Sequence, residues 1–403
     1  MSFPVFTLLT SEALFALWLL YREGLLKKSS YFVSALIFIS FAFLLRAFVL
    51  DYKTLDYEDF LSHWVEFFRQ NGGFKALGRP IGNYNVPYLY FLALFSYIPI
   101  NDLHLIKLLS IFFDVLLAYG TMKLLSLFKK SPAVLVACFL SVLYLPTVFL
   151  NGAVWGQCDS IYVALALLGI YCALTDRPCI SMVLAALSFG FKLQAVFILP
   201  VYAVLWFKGK FNWKHFLIFP LSYVILVLPA VIMGRPFIDT ITLYFSQTGS
   251  IGSGLNYSSP SVFSILHGTQ NEELASKIGV AAAFIFMFAV LGIAFWKRKQ
   301  LSNRSVMWAA LLFVVGIPFL LPHMHERYFF AADIMCLFLA FAVPKLAAAA
   351  VLSQFASFLG YYAYLNRRYL LTMNYGGWAI FLLLFTAFVF YILSFSEKNL
   401  KKI

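Results

Sequence analysis

The sequence predicts an all-α polytopic membrane protein with about thirteen transmembrane helices, and three observations predict it. Of 403 residues, 63% are hydrophobic and only 12% are charged, about half of the ~25% charged share of a soluble domain. Mean hydropathy is +0.87 over the whole length, which leaves too little polar surface to face water. Finally, apolar runs recur at 6–21, 31–50, 105–127, 132–150, 154–175, 179–192, 194–207, 215–233, 278–296, 305–321, 329–344, 346–364 and 375–395. These features exclude a soluble enzyme, a disordered chain and a nucleic-acid-binding domain. The net charge of +13 is therefore read against loop placement,.

The first run, 6–21, lacks a basic leader and a small-residue cleavage site, so it reads as a span rather than a signal peptide,. The run 86–100 is ambiguous, and charge decides it. Basic clusters stand at Arg22/Lys27/Lys28, Lys129/Lys130, Arg177, Lys208/Lys210/Lys214, Lys297/Arg298/Lys299/Arg304, Lys345 and Lys398/Lys401/Lys402. All of them fall on one face if 86–100 lies in the interface and 189–200 turns inside the membrane between two short helices. Of the 17 acids, only Glu23, Asp176 and Glu397 then share that face, as the positive-inside bias expects. This arrangement gives one integral membrane domain over 1–403. Its extracytoplasmic loops are 51–104 and 234–277, and its C-terminal helices occupy 336–403. Cys138, Cys158, Cys172, Cys179 and Cys336 have no metal-type spacing and read as small buried hydrophobes without a required disulfide,.

Every unusual residue lies on the outer face. In the first loop Phe60, Leu61, Trp64, Phe67 and Phe68 recur at spacings of three and four, predicting an amphipathic helix lying on the membrane,. Asp56 precedes that helix by one turn, at the mouth of the bundle, where a carboxylate could take a proton from an acceptor hydroxyl as general base; the plainer alternative is that Asp56 or Asp59 caps the helix. A second acid, Asp159 in Trp155-Gly156-Gln157-Cys158-Asp159-Ser160, opens a span, as a cap or as a carboxylate near Asp56. Lys192 and Gln194 interrupt a long apolar stretch. An ammonium there needs a partner, and a phosphate suits it, with a snorkelling lysine as the alternative.

The segment Pro322-His323-Met324-His325-Glu326-Arg327-Tyr328 is too polar for a lipid-facing corner. If Pro322 opens a helix, His323, Glu326 and Arg327 share one face. Arg327 would then grip a phosphate with His323 or His325 beside it; a Glu326–Arg327 or Glu326–Lys277 salt bridge is the alternative. Zinc is disfavoured by the spacing. Asp114, Asp333 and Arg46 are expected to be paired structurally, with Asp333 a candidate to orient Arg327. Residues 249–261 read as a lid, a sugar-facing surface or a plain flexible loop.

On these residues the chain resembles the GT-C superfamily of glycosyltransferases, and within it the bacterial relatives of the second mannosyltransferase of GPI-anchor synthesis. Four motifs carry the resemblance: Asp56-Tyr57-x-x-Phe60-Leu61-x-x-Trp64 with Gly72-Gly73-Phe74 and Asn83-Tyr84-Asn85-x-Pro87-Tyr88-Leu89-Tyr90; Trp155-Gly156-Gln157-x-Asp159-Ser160; Phe191-Lys192-Leu193-Gln194; and His323-Met324-His325-Glu326-Arg327-Tyr328. The resemblance implies a GT-C-type helical bundle in a bacterial plasma membrane, with its active site on the extracytoplasmic face. It implies an inverting transfer of a hexose from a polyprenyl-phosphate sugar to a glycan, glycolipid or protein acceptor. Asp56 would be the base. Lys192, Gln194, His323, His325 and Arg327 would hold the donor phosphate. Asp59, Asp159, Gln157, Glu326, Tyr84 and Tyr328 would support the site or face the acceptor. No cofactor and no obligatory metal are expected, because Trp-Gly-Gln-x-Asp-Ser offers one acid beside Asp56.

Two other readings remain. A transporter or lipid flippase would spread polar residues through the spans and over both faces, whereas here they gather outside. A glycan polymerase or ligase would carry an Arg- and His-rich outer loop, but 234–277 holds only Arg235 and His267.

Overall fold

The computed structural model describes residues 2–247, 254–266 and 271–396. Residues 249–253, His267, Glu397, Lys398, Lys401 and Lys402, all named above, lie outside the described residues. The chain is an all-α polytopic membrane protein, and each of its expected apolar runs is helical. Among the described residues, eight helices are long and apolar enough to cross a membrane: Phe3–Arg22, Ser29–Phe48, Asp102–Leu125, Trp213–Ile232, Glu272–Trp296, Asn303–Leu320, Pro344–Asn366 and Met373–Leu393. A bent pair, Pro132–Tyr144 with Pro146–Trp155, makes a ninth if counted as one span. Its 48° bend falls at Leu145, where the following proline withdraws a backbone donor. The remaining runs form the shorter apolar helices Asp159–Leu174, Pro178–Phe191, Leu193–Phe207 and Phe330–Ala342.

Local chemistry sets the ends. Asn101 accepts from the Leu103 amide and Asn271 from the Leu274 amide, and Glu272 and Glu273 follow Asn271 in the first turn, where the helix dipole favours acids. Ser302 and Ser305 form a reciprocal cap at the start of Asn303–Leu320,.

The chain divides into two compact units. The first comprises Met1–Tyr171, Ser181–Leu193 and Phe216–Ser250; the second comprises Cys172–Ile180, Gln194–His215 and Ile251–Ile403. Each is organised around one central helix. In the first, Asp102–Leu125 packs on Phe3–Arg22, Pro132–Tyr144 and the turn Leu150–Trp155. In the second, Asn303–Leu320 is flanked by Glu272–Trp296, Phe330–Ala342, Met373–Leu393 and Val201–Phe207. The apolar windows of these two helices are 72% and 83% buried, against 17–39% for the other long spans. The exposed sides of those others are apolar, as lipid contact requires.

The first loop meets one expectation and departs from another. Val86–Phe95 is a helix of 10 residues, about 15 Å long and too short to cross. The aromatic helix Ser62–Gln70 does form, but its apolar face is not laid on lipid. Leu61, Trp64, Val65 and Phe68 are buried against Val86, Leu89 and Leu92, while Phe60 stays exposed. The short helix offers an apolar wall within the protein, and burying Trp64 and Phe68 there is worth roughly 1.5–3 kcal/mol each. The five cysteines are free; four are buried and Cys179 is exposed.

Candidate active site

In the first unit the segment leaving Ser29–Phe48 is held by two residues one turn apart on Asp102–Leu125. Lys107, fully buried, donates from Nζ to the Val49 and Tyr52 carbonyls at 2.7 and 2.6 Å. His104 Nε2 meets Asp51 Oδ1 at 2.7 Å and holds that carboxyl below its ordinary range,. Thr54 then ties the segment sideways, its hydroxyl donating to the Trp155 carbonyl at 3.2 Å. Asp56 follows at once, half-buried, ahead of a π-helical turn at Tyr57–Leu61.

Asp56 makes no helix-capping bond, so capping does not explain it. Its Oδ2 accepts instead from Trp155 Nε1 at 3.0 Å and Gln157 Nε2 at 2.5 Å. Between those two donors Gly156 takes φ +79°, the left-handed conformation that a side chain resists. That turn brings both neighbours to bear on one carboxylate oxygen.

Gln157 carries the contact inward. Its Oε1 accepts from the Tyr84 hydroxyl at 3.0 Å and lies 3.5 Å from Lys192 Nζ. Lys192 is buried and pairs with Asp159 Oδ1 at 2.7 Å, and Asn151 Nδ2 donates to Asp159 Oδ2 at 2.8 Å. A buried ion pair survives only when further hydrogen bonds satisfy its remaining atoms, and Asn151 and Gln157 supply them here. Lys192 marks a break, since Pro178–Phe191 ends just before it and a 3-10 turn, Leu193–Phe197, begins just after. A relay of polar side chains thus runs from a half-exposed acid to a buried cation.

Several expected residues stand elsewhere. Asp59 is exposed on the π-helical turn, and Gln194 lies in the 3-10 turn of the second unit. Asp114 pairs with Arg46 at 3.1 Å and accepts from Ser160 at 2.6 Å, the structural pairing expected of it. Asp333 accepts from Ser353 and Ser357 of the helix Ala347–Asn366.

The His323–Tyr328 segment requires a correction. Pro322 does not open a helix, and His323, Glu326 and Arg327 do not share a helical face. The next helix starts at Phe330, His323 takes φ +61°, and Met324–His325 pair in parallel with Asn256–Tyr257. The backbone amides are drawn away from a helix because the His323 N–H donates to the Leu255 carbonyl at 2.8 Å. His323 is taken up in the same junction, with Nδ1 2.7 Å from the Gly254 carbonyl and Nε2 3.2 Å from Ser276 Oγ. The contact with a carbonyl fixes the proton on Nδ1. His325 stacks on Tyr257 at 4.7 Å and leans on Tyr328 at 5.3 Å. Arg327 donates to Glu326 at 2.9 Å, the salt bridge weighed above, while Lys277 pairs with Glu273.

Sequence reasoning missed Lys107, Asn151 and the indole of Trp155. A lysine inside a span was the available signal for the first. Among the described residues, no three His, Cys, Asp or Glu side chains converge as a metal site would require.

The first unit of this multi-pass membrane protein thus sets a carboxylate, an amide and a lysine in one polar relay. The class of protein comes from the family comparison. The model of glycosyltransferase family 87 matches residues 83–322, more than half of the chain, and the protein belongs to that family, which is of the GT-C type expected from its motifs. Tyr84, Gln157, Asp159 and Lys192 fall within the match; Asp56 and His323–Tyr328 fall outside it. No curated protein matches the chain.

Proposed function

We propose that this glycosyltransferase moves a mannose-like or glucose-like hexose from a polyprenyl-phosphate donor to a hydroxyl on a glycan, glycolipid or protein. In this reading it works on the extracytoplasmic face of a bacterial plasma membrane, in the synthesis of a cell-surface glycan or glycolipid. The observation that carries the proposal is the Asp56 carboxylate, half-buried and oriented by Trp155 and Gln157, with Lys192 one amide away.

The acceptor oxygen attacks the anomeric carbon opposite the phosphate, and its proton passes to Asp56. The sugar–phosphate C–O bond breaks, and polyprenyl phosphate departs with the bonding pair. One base therefore suffices, and the configuration inverts. Lys192 meets the charge growing on the phosphate. Asp159 keeps that ammonium in place while leaving donor protons for the substrate. For Arg327 and His325 the phosphate role rests on the sequence pattern alone, and Arg327→Ala tests it through donor affinity.

The chemistry is proposed to run without a metal. Support comes from the donor set: Asp56 is faced by two N–H groups and Asp159 by an ammonium and an amide. Purified protein in lipid, treated with EDTA, is expected to keep its turnover; a loss restored by Mg²⁺ or Mn²⁺ would overturn this part. The central experiment offers the same preparation polyprenyl-phosphate mannose, glucose and galactose in turn, and determines the product anomer. Transfer from nucleotide sugars alone, or a product of retained configuration, would refute the proposal.

A further inference from the structure

In the second unit, three long helices end around one hollow. Glu272–Trp296 and Asn303–Leu320 are joined there by residues 297–302, and the end of Met373–Leu393 closes the other side. The hollow measures about 950 Å³, the size of a small-molecule site. Its lining is divided by chemistry. Lys297, Lys299 and Ser302 supply the polar side, and Trp296, Ile392 and Phe395 supply the apolar side.

The loop is held in place. Lys208 Nζ donates to the Leu301 carbonyl at 2.5 Å, and Ser302 closes its reciprocal cap with Ser305. Lys297 lies over the Trp296 ring at 4.9 Å and Arg298 over Phe295 at 4.5 Å. Trp296 itself is 79% exposed at the end of its helix, and an indole is favoured where a spanning helix meets headgroups. Among the described residues no carboxylate pairs with Lys297, Arg298 or Lys299. Among the described residues, Lys297, Arg298 and Lys299 thus set positive charge beside an apolar wall.

We propose that this hollow is a binding site for an anionic phospholipid, with the phosphodiester between Lys297 and Lys299 and the acyl chains along Trp296 and Ile392. A zwitterionic lipid brings its own cation and gains less from the two lysines. A free phosphate ester reaches the lysines but leaves the apolar wall bare. Basic pockets between helix ends are the places where charge complementarity selects lipid headgroups.

The test uses the full chain in detergent, with phosphatidylglycerol and phosphatidylcholine of matched acyl chains offered in competition and bound lipid counted by native mass spectrometry. Phosphatidylglycerol should be retained preferentially. Lys297→Gln with Lys299→Gln should lower that preference about thirtyfold, about fivefold for each lysine near the surface, with melting in phosphatidylcholine unchanged. Lys129→Gln with Lys130→Gln, which removes the same charge from another basic loop, should leave it unaltered. Equal retention of the two lipids, an equal loss in the Lys129/Lys130 variant, or full competition by glycerol phosphate alone would each overturn the assignment.

Discussion

The two polar clusters that interrupt this apolar chain are built in opposite ways. In the first unit, residues 56, 84, 157 with 159, and 192 come from four separate segments, and the fold gathers them into a relay ending at a half-buried carboxylate. In the second, the dense run 323–328 commits polar groups to contacts within the protein. Glu326 takes Arg327, and His323 is used to fasten residues 254 and 276. Charges adjacent in sequence find each other before they find a substrate. Charges brought together by tertiary structure are held at fixed distances, and one of them faces outward. Density of polar residues in the sequence is thus a poor guide to which of them converge in the fold.

This contrast yields four predictions, from the largest effect to the smallest. Asp56→Asn keeps the shape and loses the proton acceptor, so turnover should fall by roughly 10²–10⁴-fold, with donor binding and melting temperature retained. Near-normal turnover would remove Asp56 from the chemistry. Lys192→Ala leaves Asp159 buried without its cation and should cost about 3–5 kcal/mol in stability. Adding Asp159→Asn should recover most of the stability but not the affinity for a polyprenyl-phosphate sugar. If affinity returns along with stability, Lys192 is a structural ion and nothing more. Gln157→Leu removes one donor to Asp56 and should lower kcat by about tenfold, the size of a charge-assisted hydrogen bond worth ~1.5 kcal/mol, with little change in KM. A change confined to KM would make Gln157 a substrate contact instead. Finally, His323→Ala loses two hydrogen bonds at a left-handed residue and should lower stability by about 1–2 kcal/mol. His323→Asn, which tolerates that backbone, should cost less. A loss of donor affinity without a change in melting would restore His323 to phosphate binding and blunt the contrast.

Much of the architecture was legible from hydropathy. The apolar runs all became helices, 86–100 was recognised as no ordinary span, and the break at Lys192 fell where a lysine interrupted the pattern. The destination of the aromatic helix was not legible. Spacing identified the apolar face of Ser62–Gln70 but not whether lipid or Val86–Phe95 would cover it, because both are equally apolar. The helix expected at Pro322 failed for a related reason. Periodicity counts only local hydrogen bonds, and the His323 amide was claimed by Leu255, nearly seventy residues away.

Within the site, the acids and the lysine were visible as residues that could not sit in lipid without partners, while the identity of the partners was not. Lys107, which grips the backbone ahead of Asp56 through two carbonyls, carries no motif at all. The sequence by itself determined that this chain lives in a membrane, which segments become helices, and which few polar groups had to be paired, since transfer into hydrocarbon is governed by side-chain composition. Only the tertiary structure decided that Gln157 would join Asp56 to Lys192 while Glu326 would take Arg327, because hydrogen bonds and ion pairs depend on distances of a few ångströms that emerge once distant segments have packed.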